Sequence, residues 1–279
     1  MLNKNKKSKA ALYIGTTLLA LFAVIPFLWV LRTSVIPNLV AVNIRQSALI
    51  PLGKLTLKPY VEMIVQYNFG LYFKNSIIVS VSATVFALLF AIPGAYGFAR
   101  YDMPGRQVLF YATVFTLMVP IIVLTIPIYE IFYKLNLLNS LIGIIIALTI
   151  FVQPQCLWLL QGFFRDGIPP NIEEAAMMDG TTKFGAFFRV VLPLSMPAIG
   201  ATALFAFLYA WNNFLWVFIL SSDESVRTAP VALHYVMGTD ILRSWNTLMA
   251  AVIVLILPAM VFYALSQRYV NAGLGGGGL

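Results

Sequence analysis

Six stretches of this chain carry no charged residue over 22 residues or more: 10–31, 75–99, 107–129, 135–164, 190–222 and 244–267. A hydrocarbon layer of about 30 Å needs roughly 20 apolar residues of α-helix to cross it. Backbone N–H and C=O groups find no water there, so segments of this length satisfy them as helices rather than as isolated strands. Charged residues make up 10% of the chain and hydrophobic residues 61%, whereas soluble domains are about 25% charged. The chain reads as an all-α integral membrane protein, one membrane domain over residues 1–279. Six transmembrane helices are expected at 10–31, 75–99, 107–129, 135–164, 194–220 and 244–267.

Lys4, Lys6, Lys7 and Lys9 precede the first apolar run. That run is longer than the apolar core of a signal peptide, so an uncleaved first span is expected. Six spans put both termini on one side, and the four lysines assign that side to the cytoplasm. On this topology ten Lys and Arg lie inside and eight outside, and Arg45, Lys54 and Lys58 of the outer set share one long loop, where charge constrains topology weakly. The net charge of +8 therefore reflects topology, not nucleic-acid binding. Proline at positions 26, 93, 120, 127, 154 and 258 is expected to kink the spans. The outer stretch 32–74 is polar but too short for a domain. The terminal GLGGGGL is not expected to hold regular structure by itself.

Between the fourth and fifth apolar stretches lies a charged, glycine-punctuated island, residues 169–193, PPNIEEAAMMDGTTKFGAFFRVVLP. Pro169 and Pro170 stop what precedes them, Asn171 is placed to cap a new helix, and Glu174 completes a capping-box-like pair. Glu173 and Glu174 fall in the first turn, where the partial positive charge of a helix N-terminus favours carboxylates. Gly180 supplies a left-handed stop after Asp179. Thr181 or Thr182 is placed to cap a second segment that runs through Lys183, Phe187 and Arg189 to Pro193. A DNA-reading helix would be basic, and the first of these helices has no Lys or Arg.

Glu174, Ala175 and Ala176, then Gly180, then Val190 and Leu192-Pro193, resemble the EAA motif of permease subunits of binding-protein-dependent ABC importers. That family often has Ile at the position of Val190. The resemblance implies a type I ABC importer fold in which this loop is the coupling helix, seated in a cleft of a cytoplasmic ATPase. Glu173, Glu174, Ala175, Ala176, Met178, Asp179, Gly180, Leu192 and Pro193 would carry that role. Small alanines permit close approach, and Met177 and Met178 give adaptable apolar contact. An ordinary capped loop helix is the plain alternative.

Energy coupling within the chain itself has no visible basis. Proton-coupled transporters hold ionisable groups inside their spans, and the six stretches contain none. The run Gly180-Thr-Thr-Lys-Phe-Gly lacks the glycine that precedes lysine in a phosphate loop. No nucleophile, base and acid set is evident, so the chain is read as a transport subunit and not an enzyme. His234 falls in the outer segment 223–243, where a solvated histidine is expected. The single cysteine, Cys156, lies in an apolar run and reads as a small buried hydrophobe.

Two clusters of uncharged polar and aromatic residues lie in the spans: Gln153, Gln155 and Trp158 around Pro154, and Tyr209, Trp211, Asn212, Asn213 and Trp216 in the fifth span. Amides exchange hydrogen bonds with hydroxyls, and flat tryptophan faces suit sugar rings, so a neutral sugar or polyol fits a path lined by them. Each also has a structural reading, since Asn bridges helices and Trp anchors at interfaces.

Across nearly the whole chain, the six spans, the island, Trp211-Asn212 followed by Phe214-Leu215, and Gln267-Arg268-Tyr269 resemble the carbohydrate-uptake branch of that family, of the maltose type. The family often has an acidic residue where this chain has Asn213. The resemblance implies a bacterial or archaeal inner-membrane complex with a homologous second permease, two ATP-binding subunits and an extracytoplasmic sugar-binding protein. ATP and Mg would be bound by the ATPase partner, with no cofactor in this chain. The segment 221–243 would contact the binding protein, and the glycine-rich tail would reach the ATPase pair. Two other readings stay open: a permease of the same superfamily for amino acids or peptides, and a stand-alone facilitator.

Overall fold

The computed structural model describes residues 2–37, 55–240 and 245–275. Arg45, Lys54 and Arg243, counted above toward sidedness, and residues 276–279 lie outside the described residues. The chain divides into two compact units, Met1–Gly70 with Ala232–Leu257, and Leu71–Val231 with Pro258–Leu279.

The first unit holds α1 (Leu2–Ser34) and α2 (Lys58–Val65). Most of the apolar stretch of α1 is exposed, with Phe22 and Leu19 among its exposed side chains, as suits a helix surrounded by lipid, and only its end, at Thr33 and Ser34, is buried. Its end is tied down by polar contacts. Ser34 Oγ shares a 2.8 Å hydrogen bond with Tyr60 OH, and Asn246 Nδ2 donates to the Ile36 carbonyl at 3.2 Å. Within the outer stretch 32–74, read as too short for a domain, α2 forms with Pro59 in its first turn, where a missing N–H costs nothing.

The second unit is built on two long helices, α3 (Phe69–Arg100) and α6 (Leu141–Gly162). Along α3, Val79, Ala83, Ala87, Ala91 and Ala95 recur every fourth residue and all are fully buried. Along α6, Ile144, Leu148, Val152, Cys156 and Leu160 recur at the same interval, and Phe164 in the helical turn that follows continues the row. Residues four apart stack into a ridge on one helix face. Lipid-facing helices gain little from the hydrophobic effect between them, so close approach over small residues supplies van der Waals packing instead. Both stripes share two core clusters, Ala87, Ala91 and Ala95 with Val152, Cys156 and Leu160, and Val79 and Ala83 with Ile144 and Leu148. Cys156 is buried and unbridged, as its apolar setting implies.

Among the described residues, four helices are long and apolar enough to cross a membrane, and up to six spans result when each of two bent pairs is taken as one. The span expected over 107–129 is sharply bent, in keeping with the kink expected at Pro120. Arg106–Met118 and Ile121–Lys134 meet at 96°, with α4 (Arg106–Phe115) and α5 (Thr125–Lys134) as their α-helical parts. Val119 and Pro120 adopt extended backbone at the corner, where proline cannot continue a hydrogen-bond ladder. The fifth span is also bent, by 70°, between α8 (Lys183–Leu194) and α9 (Met196–Trp211). Ser195 lies at that bend between Pro193 and Pro197, its Oγ donating to Val191 O at 2.6 Å. Helix breaks again after Trp211 before α10 (Leu215–Leu220). By contrast Pro26, Pro93, Pro154 and Pro258 lie within uninterrupted helices.

The expected start of the fourth span at 135 moves to Leu141, because Ser140 caps the helix by accepting from Gly143 N. The segment after the fifth span contains α11 (Ala229–Asp240), on which His234 is exposed. The final helix, α12 (Trp245–Gly275), extends into the glycine-rich tail. The tail is not expected to hold regular structure by itself, and its first residues are helical here as the continuation of a helix nucleated upstream, which propagates at one bond per residue.

Candidate functional site

The island folds as the helix α7 (Pro170–Met178) followed by α8. The predicted Asn171 cap and its pairing with Glu174 do not form. The helix starts two residues earlier, with Pro169 at the cap position and Pro170 in the first turn, and no side chain caps it. Proline is pre-set for that position, which leaves Asn171 and Glu174 inside the helix and exposed. The C-terminus follows expectation. Gly180 adopts φ +87°, Gly180 N–H donates to Met177 O at 3.0 Å and Thr181 N–H to Ala176 O at 3.2 Å, the double bond pattern of a Schellman stop. Thr181 Oγ1 also donates to Ala176 O at 2.6 Å. Of the two threonines, Thr182 caps α8, accepting from Gly185 N at 3.1 Å.

Within α7 the two glutamates part company. Glu173 turns inward: Arg100 Nε donates to its Oε1 at 2.7 Å and Tyr96 OH to its Oε2 at 2.8 Å. A second Arg100 nitrogen donates to the Ile168 carbonyl. The Arg100 and Glu173 side chains keep only 11% and 12% of their exposure. Tyr96 itself is wedged among Phe164, Phe187 and Tyr101, with ring centroids 4.5 to 5.9 Å away. Glu174, Ala175, Met178, Asp179 and Gly180 are exposed, Met178 at 88%, and Glu174 borders the cleft that Tyr96, Arg100 and Glu173 line. Ala176 is half-buried, Leu192 packs on the core, and Pro193 is exposed. Phe184 is 74% exposed and stacks obliquely on Phe188 at 4.8 Å. This segment therefore has one charged foot clamped to the end of α3 and a free face of small and large apolar side chains.

At the opposite end of α3, a second polar cluster holds the segment 222–229. Tyr72 OH donates to a Glu224 carboxylate oxygen. Asn75 Nδ2 donates to Ser225 O at 2.8 Å and to Arg227 O at 3.0 Å, and Ser76 Oγ accepts from Ala229 N at 2.9 Å. From the start of α6, Asn139 Oδ1 accepts from Ser222 N at 2.6 Å and Asp223 N at 3.0 Å. The Asp223 carboxyl is held below the usual carboxylate range, first by the Ser225 N–H it accepts.

The polar residues expected along a path are divided by the fold. With its amide oriented to satisfy both neighbours, Gln153 bridges Ala87 O and Ala91 N at 3.0 Å each, across the close α3–α6 contact. Trp216 is fully buried and stacks on Phe151 of α6 at 4.1 Å. Trp211 is buried against Phe207 and Phe73. Tyr209 packs against both core clusters. Asn213 Oδ1 accepts from Trp216 N at 3.1 Å at the start of α10, and Asn212 Nδ2 donates to Leu208 O at 3.0 Å. Gln155 is half-buried, while Trp158 and Asn212 are exposed. An open apolar groove of about 490 Å³ between α4, α5 and α6, lined by Thr113, Thr116, Ile150, Phe151 and Pro154, includes none of the eight polar candidates.

Residues 83–276 match the family of binding-protein-dependent transport system inner membrane components. The chain belongs to that family. It is 33% identical over 280 residues to the inner membrane ABC transporter permease protein YcjP of Escherichia coli, covering 99% of this chain and 98% of that one. It is 31% identical to the sulfoquinovosyl glycerol transport system permease protein SmoH of Agrobacterium fabrum, over 96% and 92% of the two chains. The trehalose transport system permease protein SugB of Mycobacterium tuberculosis is 32% identical, over 94% of each. Among solved structures, a chain of a bacterial ABC transporter involved in the import of the acidic polysaccharide alginate superposes with a TM-score of 0.76 at 23% identity, over 92% and 95% of the chains. This ABC permease is thus a multi-pass, all-helical membrane transport component.

Sequence reasoning missed the permease's polar anchors. Arg100, Tyr72, Asn75, Ser76, Tyr96 and Asn139 are not singled out by it. The usable signal was placement: polar residues at both ends of an otherwise apolar 32-residue helix.

Proposed function

We propose that this permease is the membrane-spanning subunit of an ATP-driven importer for a neutral sugar or oligosaccharide. The proposed complex pairs it with a homologous permease, two ATP-binding subunits that hold ATP and Mg, and an extracytoplasmic binding protein that delivers the sugar. Both termini and α7 then lie on the cytoplasmic side, and the segment 221–243 lies outside.

The observation that carries the coupling role is the division of α7 into a clamped side and an open one. Glu173 is fixed to the membrane domain through Arg100 and Tyr96, while Met178 is solvent-exposed on a helix outside the candidate spans, with the exposed Phe184 following it at the start of α8. Large apolar side chains exposed outside the spans favour a protein partner. A helix with one side anchored and the other open transmits a partner's movement without bending. Glu173, Glu174, Ala175, Ala176, Met178, Asp179, Gly180, Leu192 and Pro193 form that coupling element in this reading. As the ATPase pair closes on ATP, α7 is carried inward, the spans reopen outward, and sugar passes from the binding protein into the path.

The sugar assignment is supported by the sugar permeases among the relatives and by the absence of charge from the six apolar stretches. Of the eight path candidates, Gln155, Trp158 and Asn212 are the ones the packing leaves best placed to meet a solute. Gln153, Tyr209, Trp211, Asn213 and Trp216 then shape that path by holding α6, α9 and α10.

The test is to tag the chain, extract it gently from its own membrane and identify what accompanies it. Stoichiometric recovery of a phosphate-loop ATPase and a second multi-span permease is expected, with ATPase activity stimulated by the loaded binding protein for sugars and not for amino acids. Recovery of the chain alone, with nucleotide-free flux, would point to a facilitator instead.

A further inference from the structure

We infer that α3 is a strut that ties the coupling helix to the segment 222–229, with Arg100 and Asn75 as the positioning residues at its two ends. The inference rests on the function proposed above for which side each end faces. It concerns how this permease transmits the ATPase state to the surface that would receive sugar.

The same unbroken helix carries both polar clusters. Tyr96 and Arg100 grip Glu173 of α7 and the Ile168 carbonyl that precedes it. Tyr72, Asn75 and Ser76 grip Glu224, the Ser225 and Arg227 carbonyls and the Ala229 amide. Tyr72 and Arg100 are separated by about 42 Å of helix, at roughly 1.5 Å per residue. The helix is longer than the hydrocarbon layer of about 30 Å, so each cluster sits at a membrane boundary and not within it. Between them the alanine stripe seats α3 along α6 at close range, and Gln153 locks the pair near its middle.

These contacts have the directionality that transmission needs. The Arg100 guanidinium holds two acceptors on α7 and its approach at once, so α7 cannot shift along or about its axis without displacing the end of α3. Asn75 holds two carbonyls of the outer segment with one amide group, so that segment follows the start of α3 in turn. Two other spans are broken, at 96° and 70°, whereas α3 continues as one unbroken helix between the two clusters, with Pro93 inside it. A displacement entering at Glu173 therefore reaches Ser225 through a single continuous hydrogen-bonded helix.

The experiment uses the whole complex in inverted and right-side-out membrane vesicles. Ser225→Cys provides an exposed reporter in a chain whose single natural cysteine, Cys156, is buried, and its reaction rate with biotin-maleimide is measured without nucleotide and after trapping with ATP and vanadate. The rate is expected to differ by about fivefold between the two states, within the usual range of coupling between sites. That difference should vanish in Arg100→Met and equally in Asn75→Ala, although the ATPase still co-isolates with both. If Arg100→Met does not accumulate, Arg100→Lys, which keeps the charge but cannot span Glu173 and the Ile168 carbonyl together, carries the same expectation. A nucleotide response of undiminished size in either variant, or no response in the parent, overturns the strut. Failure to recover an ATPase from the parent would instead overturn the function it rests on.

Discussion

Arg100, the last residue of α3, and Glu173, in the first turn of α7, meet at 2.7 Å with both side chains almost wholly withdrawn from solvent. Each charge is satisfied only by the other and by its neighbours Tyr96 and Ile168. Removing one partner from such a pair leaves the other buried and uncompensated, at about 3 kcal/mol or more. Glu173→Gln and Arg100→Met are each expected to lower thermal stability in detergent by that order. The double variant should be clearly less damaged than the sum, because the second change removes the stranded charge. Strict additivity in the cycle would mean that the pair does not act as a unit. Glu174→Gln, one residue on but exposed, should stay within about 0.5 kcal/mol of the parent, so the two adjacent glutamates separate by stability.

Gly180 presents a different dependence. At φ +87° it ends α7 through two bonds to Met177 and Ala176, in backbone space that costs an L-residue about 1 kcal/mol. No heavy atom lies within 4 Å of where its side chain would begin, so Gly180→Ala should show that strain alone. Gly180→Pro cannot adopt a positive φ and removes the N–H that bonds Met177. It should insert normally yet lose sugar uptake while basal ATP hydrolysis by the complex persists. Ala176→Glu, which puts a carboxylate on the half-buried face of α7, is expected to uncouple in the same way. Normal accumulation of sugar in either variant would count against α7 as the coupling element.

Gly143 is required for space and not for conformation. A Cβ there would lie 2.1 Å from the Leu137 carbonyl oxygen, a backbone atom fixed by the turn that Ser140 closes in accepting from Gly143 N and donating to Leu137 O. Gly143→Ala must displace the start of α6, and strain of this kind costs about 1–3 kcal/mol. Gly97→Ala in α3, with open space around it, serves as the contrast and should be neutral or slightly stabilising, since alanine is the better helix former. Comparable yields and melting temperatures for the two variants would show that the Leu137 turn yields freely.

The span count, the island and its Gly180 stop were legible because they depend on local sequence: charge-free length, proline and glycine. A kink at Pro120 was legible, but which proline breaks its helix was not: those at positions 26, 93, 154 and 258, expected to kink their spans as well, lie inside uninterrupted helices, and what each proline does is decided by the neighbours that resatisfy its carbonyl. The four-residue recurrence of Ala83, Ala87, Ala91 and Ala95 was visible in the chain but has meaning only beside its counterpart on α6. The roles of Gln153 and Trp216 were hidden in the same way. Both are polar or amphipathic in a span, which suits a solute path and a helix contact alike, and only packing distinguishes them. The stripe yields its own prediction: Ala91→Leu, forced into the α3–α6 contact, should cost about 1–3 kcal/mol and release Gln153 from the α3 backbone, while Cys156→Ala should be tolerated within about 1 kcal/mol. Equal melting temperatures for Ala91→Leu and the parent would show that the two helices are not closely apposed.

Asn139 meets two demands at once, and they are separable by substitution. Its backbone is left-handed, φ +53°, and its side-chain oxygen accepts from the Ser222 and Asp223 amides while its own N–H donates to the Leu220 carbonyl at 2.9 Å. Asparagine tolerates that backbone better than other non-glycine residues, and its carbonyl oxygen substitutes for the partners two adjacent amides would otherwise seek in water. Asn139→Gly relieves the backbone but abandons the amides, Asn139→Asp keeps the acceptor, and Asn139→Ala loses both advantages. Stability should therefore fall in the order Asn139→Asp, Asn139→Gly, Asn139→Ala, the last by about 2 kcal/mol, the sum of roughly one hydrogen-bonding term and one strained residue. The same order should appear in amide hydrogen exchange at Ser222 and Asp223, fastest in Asn139→Ala. If Asn139→Gly were the most stable of the three and its exchange unchanged, the backbone alone would account for the residue, and the segment 222–229 would be held by α3 without help from α6.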